Sequence, residues 1–174
     1  MEATALDAAY QDLLDTAEAV AGAGARGPAP GQWNAEQILA HVTLVNAATV
    51  AAVCSVSSGA ITTYDNRIAQ DTWTIGRVVS RLGGHHGLCA RIRQQASALR
   101  ALTEGLTEAE LDTRLPALLL SNDALLVDDR LPLEALLDGL VSAELPGHTR
   151  QLAALRTDGA EPPTKGEVSA SRRP

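Results

Sequence analysis

Asn34-Ala35-Glu36-Gln37-Ile38-Leu39-Ala40-His41 has the form of a helix start. Asn34 is a good N-cap residue, and Gln37 stands where the reciprocal bond of a capping box requires it. Trp33 before the cap and Ile38 after it are placed for a hydrophobic staple. The pattern predicts a helix from Ala35 to about Val56, ending at Ser57-Ser58-Gly59. About 22 residues at 1.5 Å each span about 33 Å, the length of a bundle helix.

Working outward, Leu6, Tyr10, Leu13, Leu14, Ala17 and Val20 recur at spacings of three and four, which predicts an amphipathic first helix from Glu2 to about Ala21. The Gly- and Pro-rich stretch from Gly22 to Gly31 reads as a loop. Residues 60–71 read as a linker with some local structure at Thr62, Thr63, Tyr64, Asp65 and Asn66. A third helical region is predicted from Thr72 to Leu102, broken near Gly83-Gly84-His85-His86-Gly87, because glycine in a helix interior costs about 1 kcal/mol. Thr107 and Glu110 open a short turn by the same capping logic. Leu118 to Val127 reads as a small hairpin or extended excursion. Pro132 starts a fourth helix that runs to about Arg156. These elements predict an all-α, four-helix bundle over residues 1–156. The tail, residues 157–174, is rich in Pro, Gly, Ser and charge and is expected to be disordered.

Composition narrows the function. The chain has 174 residues, enough for one well-buried domain, and aromatic residues make up only 2%. Ala and Leu must build the core. A net charge of −7 argues against a nucleic-acid partner. The longest apolar run, Leu44 to Val56, is interrupted by Asn46 and is expected to fall short of the 18–20 residues of a membrane span. The start Met1-Glu2-Ala3-Thr4 has neither the basic residues nor the apolar stretch of a signal peptide. Cys54 and Cys89 form no metal-binding or disulfide pattern. A cytoplasmic protein acting on a small molecule is the resulting expectation.

Three polar side chains fall on faces predicted to be buried. His41 shares a stripe with Ile38, Leu44, Val45 and Ala48, while Glu144 and His148 share one with Leu137, Leu140 and Leu155. An unpartnered buried carboxylate is costly. A direct ion pair, a water-filled pocket or a metal ion would each relieve it. Two His and one carboxylate suit zinc with one open position, or ferrous iron. Pro146 cannot donate a hydrogen bond to the Ser142 carbonyl, so a bend or a helix break is expected between Glu144 and His148. Gln151 is placed to orient a ligand. Cys54 is expected to pack as a small apolar side chain, and His85 and His86 to lie in an exposed bend. Tyr64, Asp65, Asn66 and Arg67 read as a solvated linker or the mouth of the site.

The run from Trp33 to His41 resembles the W-x-x-x-x-[IL]-x-x-H opening of the second helix in DinB-like proteins. Glu144-Leu145-Pro146-Gly147-His148-Thr149-Arg150-Gln151-Leu152 resembles the last-helix signature of that superfamily, with Glu in place of its first His. The resemblance covers about residues 5–156. It implies an up-down-down-up four-helix bundle with a central divalent metal held by His41, Glu144 and His148. Zinc is the leading ion, with nickel, manganese and iron as alternatives. It also implies a thiol S-transferase or isomerase that uses a low-molecular-weight thiol such as mycothiol on a small electrophile. The maleylpyruvate isomerase branch is similar in using His, Glu and His. That branch usually carries a further C-terminal domain, which puts maleylpyruvate itself in doubt as substrate. A non-catalytic metal or ligand binder and a metal-dependent hydrolase are the competing readings, and a homodimer is compatible with each.

Overall fold

The computed structural model describes residues 3–23, 27–121 and 124–156. The expected tail, residues 157–174, lies outside them. α1 (Ala3–Ala23) buries Leu6, Leu13, Ala17 and Val20 at the predicted spacing. α2 (Ala35–Ser57) begins with both hydrogen bonds of the Asn34–Gln37 capping box, each 2.9 Å. β1 (Tyr64–Asp65) and α3 (Arg67–Gln70) follow, then α4 (Thr72–Leu82) and α5 (His85–Thr103). The break between α4 and α5 is at Gly83 and Gly84, both with φ of 77°. Side chains rarely adopt that region, so glycine is what allows the turn. α6 (Glu108–Leu111) carries the second predicted capping box.

The all-α expectation is wrong. β2 (Arg114–Ser121) and β3 (Ala124–Pro132) form a hairpin far longer than the predicted excursion, and β1 joins it to give a three-stranded sheet of order β1-β2-β3. β1 runs parallel to β2, through Tyr64↔Ala117 and Asp65↔Leu118, while β2 and β3 are antiparallel. The parallel pair needs a long crossover, and α3 to α6 provide it. Period-two burial sustains β2: Leu115 and Ala117 are buried and Leu119 packs on the core. Pro116 is tolerated because β1 reaches only Ala117 and Leu118, so no β1 bond is lost there. The register skips Leu126, which bulges out of β3 between Leu119↔Val127 and Leu120↔Leu125.

The last helical region is continuous. α7 (Leu133–Gly139) passes through a π-helical turn (Leu140–Glu144) into α8 (Leu145–Ala154). The Leu145 N–H bonds to the Leu140 carbonyl, five residues back. Pro146 therefore neither ends the helix nor restarts it; the local unwinding comes immediately before it.

The helices pack around α2, which meets α5, α4 and α8, while α1 lies against α8 and α5. Their shared core is Leu-, Ala- and Val-rich, as the composition requires. α2 has the length and composition to cross a membrane, contrary to the sequence expectation, and is mostly buried within the fold. Asn46 is fully buried in it and is satisfied by the Tyr10 hydroxyl at 2.7 Å and by Gln95 at 3.4 Å. Tyr64 is buried in β1, so the solvated-linker reading fails for it, while the local structure expected in this segment is present as β1 and α3. Cys54 is exposed and does not pack; Cys89 is buried, and burial pushes its thiol up.

Candidate metal centre

His41, Glu144 and His148 meet. One ligand atom from each lies within 4.8 Å of the others. α2 supplies His41 from its second turn, the end of the π turn supplies Glu144, and α8 supplies His148 one turn later. The His41 Nε2 is 2.8 Å and the His148 Nε2 3.2 Å from the same Glu144 Oε1. The two imidazole centroids are 4.6 Å apart. The side chains are 2%, 10% and 34% exposed for His41, His148 and Glu144, so solvent reaches the cluster on its carboxylate side.

Each imidazole is held from behind. The His41 Nδ1–H donates to the Ala69 carbonyl at 2.7 Å, and the His148 Nδ1–H donates to Gln151 Oε1 at 2.8 Å. These bonds fix the tautomers, and both Nε2 atoms then aim at one carboxylate oxygen. A neutral imidazole in this orientation sets a nitrogen lone pair against an oxygen lone pair. A proton on the nitrogens or on the carboxyl, or a cation between the groups, relieves that opposition. Two imidazoliums 4.6 Å apart would repel one another. Two nitrogens and one carboxylate with outer hydrogen-bond partners are a donor set that fits a divalent metal. The cluster can hold one.

Burial pushes the Glu144 carboxyl up, but hydrogen bonds from His148 and His41 outweigh it and hold the group well below the usual carboxylate range. Tyr64 is pushed up by its own burial; a hydrogen bond with Thr49 opposes this, and the Glu144 charge adds to it. Its phenol stays protonated.

The Ala69 carbonyl has no signal in the sequence, and Trp33 is legible there only as a staple and as the start of the motif that ends at His41. The Ala69 carbonyl comes from α3, inside the supposed linker, and a backbone oxygen leaves no mark in composition. Trp33, expected as a staple, also packs against His41, with ring centroids 4.9 Å apart and planes tilted by 41°. Gln151 does what its spacing predicted. His85 and His86 stay out of the cluster: His86 is exposed, while His85 is half-buried, its backbone N–H on Glu36 at 3.0 Å. Asp65 and Arg67 pair with each other at 2.6 Å, and Asn66 bonds to Leu120. No family model, curated protein or solved structure matches the chain.

Proposed function

We propose that this protein is a divalent-metal-dependent enzyme acting on a small electrophile, with a low-molecular-weight thiol as cosubstrate. The observation that carries the reading is the convergence of both Nε2 atoms on one Glu144 oxygen, with both Nδ1 atoms already committed. The DinB-like character of the segments around His41 and Glu144 supports the thiol chemistry. Zinc is the ion we favour, because two imidazoles and a carboxylate leave it one exchangeable position; iron, nickel and manganese are the alternatives.

A bound ion of this kind would supply Lewis-acid activation of a thiol or water near neutral pH. The remaining work falls to the chain. His41, Glu144 and His148 bind, the Ala69 carbonyl and Gln151 orient the imidazoles, and Trp33 walls one side of His41. The partly exposed Glu144 marks the side from which a substrate enters.

Protein purified without added metal should contain about one ion per chain, and thiol-dependent consumption of an electrophile should require that ion. Protein that neither carries nor takes up zinc, iron, nickel or manganese would overturn the proposal. A metal-free hydrogen-bonded cluster, which the short His41–Glu144 contact favours, would then be the reading. Metal without thiol-dependent turnover would leave a binding protein or a hydrolase.

A further inference from the structure

A helix of one turn does not hold its own shape in water, and α3 is such a helix, four residues from Arg67 to Gln70. Its Ala69 carbonyl nevertheless accepts the His41 Nδ1–H at 2.7 Å, the shorter of the two bonds that hold the imidazoles from behind. Ala69 is the buried residue of α3 and brings the core a single methyl group. A carbonyl that aims an imidazole needs a firmer restraint than that.

The restraint comes from the end of β2. β1 stops at Asp65, opposite Leu118. The Asn66 N–H still reaches the Leu118 carbonyl at 3.3 Å, and there the backbone turns into α3. The Asn66 side chain continues the ladder in place of the backbone. Its Nδ2 donates to the Leu120 carbonyl at 3.0 Å, and the Leu120 N–H donates to its Oδ1 at 2.8 Å. A carboxamide carries the donor and the acceptor of a peptide group, so it can pair with a peptide as a strand does. Gln70, the last residue of α3, donates from Nε2 to the same Leu120 carbonyl at 3.3 Å. α3 is thus tied to Leu120 at both ends. Ala69 lies between the ties, its N–H on the Asn66 carbonyl at 2.9 Å. An N-cap side chain is ordinarily spent on its own helix. Asn66 stands at the N-cap of α3 and makes no such bond; Asp65 Oδ1 accepts the Arg67 N–H instead, at 2.9 Å.

We infer that Asn66 is a positioning residue of the metal centre: paired with the Leu120 peptide, it holds the Ala69 carbonyl against His41 Nδ1 and so keeps His41 Nε2 facing Glu144. It acts through the backbone of α3. The sequence of bonds runs from Leu120 to Asn66, from Asn66 to Ala69, and from Ala69 to His41. The sheet thereby takes part in the site although its strands supply no ligand. His148 is oriented independently of the sheet, because its Nδ1–H goes to Gln151 on its own helix. The consequence for metal affinity rests on the reading of the cluster as a metal centre. The hold on the His41 Nδ1–H does not.

Hydrogen exchange of the two imidazole Nδ1–H groups tests it, read by NMR of the full metal-free chain with isotope-labelled histidine. Each resonance is identified by its loss in His41→Ala or His148→Ala. Asn66→Ala should speed exchange at His41 about tenfold, the equivalent of one net hydrogen bond, and leave His148 unchanged. Zinc affinity in the same variant, from competition against a chromophoric chelator, should fall about tenfold, the lower end of the cost of losing an outer partner. Asn66→Asp keeps the shape and the acceptor for the Leu120 N–H but loses the donor. It should lie between wild type and Asn66→Ala in both measurements, and it carries the test if the alanine variant does not fold. Thr107→Ala, which removes the cap of α6, destabilises the chain elsewhere and should leave both histidines as in wild type. Unchanged exchange at His41 in both Asn66 variants overturns the inference. So does an equal rise at His41 and His148, the mark of a residue that only stabilises the fold. Faster exchange at His41 with unchanged zinc affinity overturns the role in the metal centre. If the wild type takes up no metal, the metal reading falls and the exchange rates alone decide whether Asn66 holds His41.

Discussion

His41 and Glu144 are 103 residues apart and joined at 2.8 Å between Nε2 and Oε1. This contact ties the second turn of α2 to the π turn before α8, and its contribution depends on pH. In the metal-free chain the folded Glu144 carboxyl ionises well below its ordinary value of 4.5. Its stabilising effect is therefore fully present above pH 4.5 and is lost as pH falls below that, toward the folded value. Urea midpoints of wild type and Glu144→Gln should differ above about pH 5 and converge on acidification. A difference that grows as the pH falls would contradict the geometry.

Gln151→Ala removes the acceptor of the His148 Nδ1–H and leaves all three ligands in place. Metal affinity should fall about 10–100-fold, with the helical content unchanged. Competition against a chromophoric chelator measures it, and an unchanged affinity would make Gln151 a bystander.

Trp33 gives an optical reading of the site. With only two tryptophans in the chain, Trp73→Phe leaves Trp33, whose ring is 4.9 Å from that of His41, as the sole reporter. Saturable quenching on titrating Ni2+ into this variant is the expected outcome. It should disappear when His148→Ala is added. Quenching that survives that change would place the ion elsewhere.

Two backbone sites should differ in cost. Asn34→Ala removes one half of a capping box and should lower stability by about 1 kcal/mol, or roughly 2–4 °C in Tm for a chain of this size. Gly87→Ala is harsher, because its Cβ would come within 1.7 Å of the Leu82 carbonyl oxygen, which is backbone and cannot move aside alone. A loss of at least about 2 kcal/mol is expected. Thermal denaturation of both variants ranks them, and an equal cost would mean that the α4–α5 turn relaxes freely.

The helical part of this fold was legible where local chemistry decides it. Asn34 with Gln37, Thr107 with Glu110, and the Gly83–Gly84 pair mark their helix ends within a few residues of sequence. The triad was legible because His41, Glu144 and His148 break apolar stripes. The sheet was not. Tyr64 and Asp65 are too few to show a period, and they are a strand only because Ala117 and Leu118 pair with them from more than 50 residues away. The β2–β3 hairpin extends beyond the Leu118–Val127 reading at both ends, and Pro116 is tolerated in it because β1 does not reach that position. The Ala69 carbonyl depends on that same segment being folded.

The π turn sets the phase of the last helix. The buried residues before it are Leu133, Leu136, Leu137 and Leu140, and those after it are Leu145, His148 and Leu152. On an unbroken α-helix at 100° per residue these two stripes would be about 100° out of line, the angle of a single residue. The wider turn absorbs that residue and stacks Leu145 over Leu140. Glu144 then falls about 70° from the centre of the second stripe, at its border and not at its middle. A carboxylate at the middle would be sealed into the core. At the border it faces His41 on one side and water on the other, so one surplus residue in a helix separates a buried charge from an accessible one.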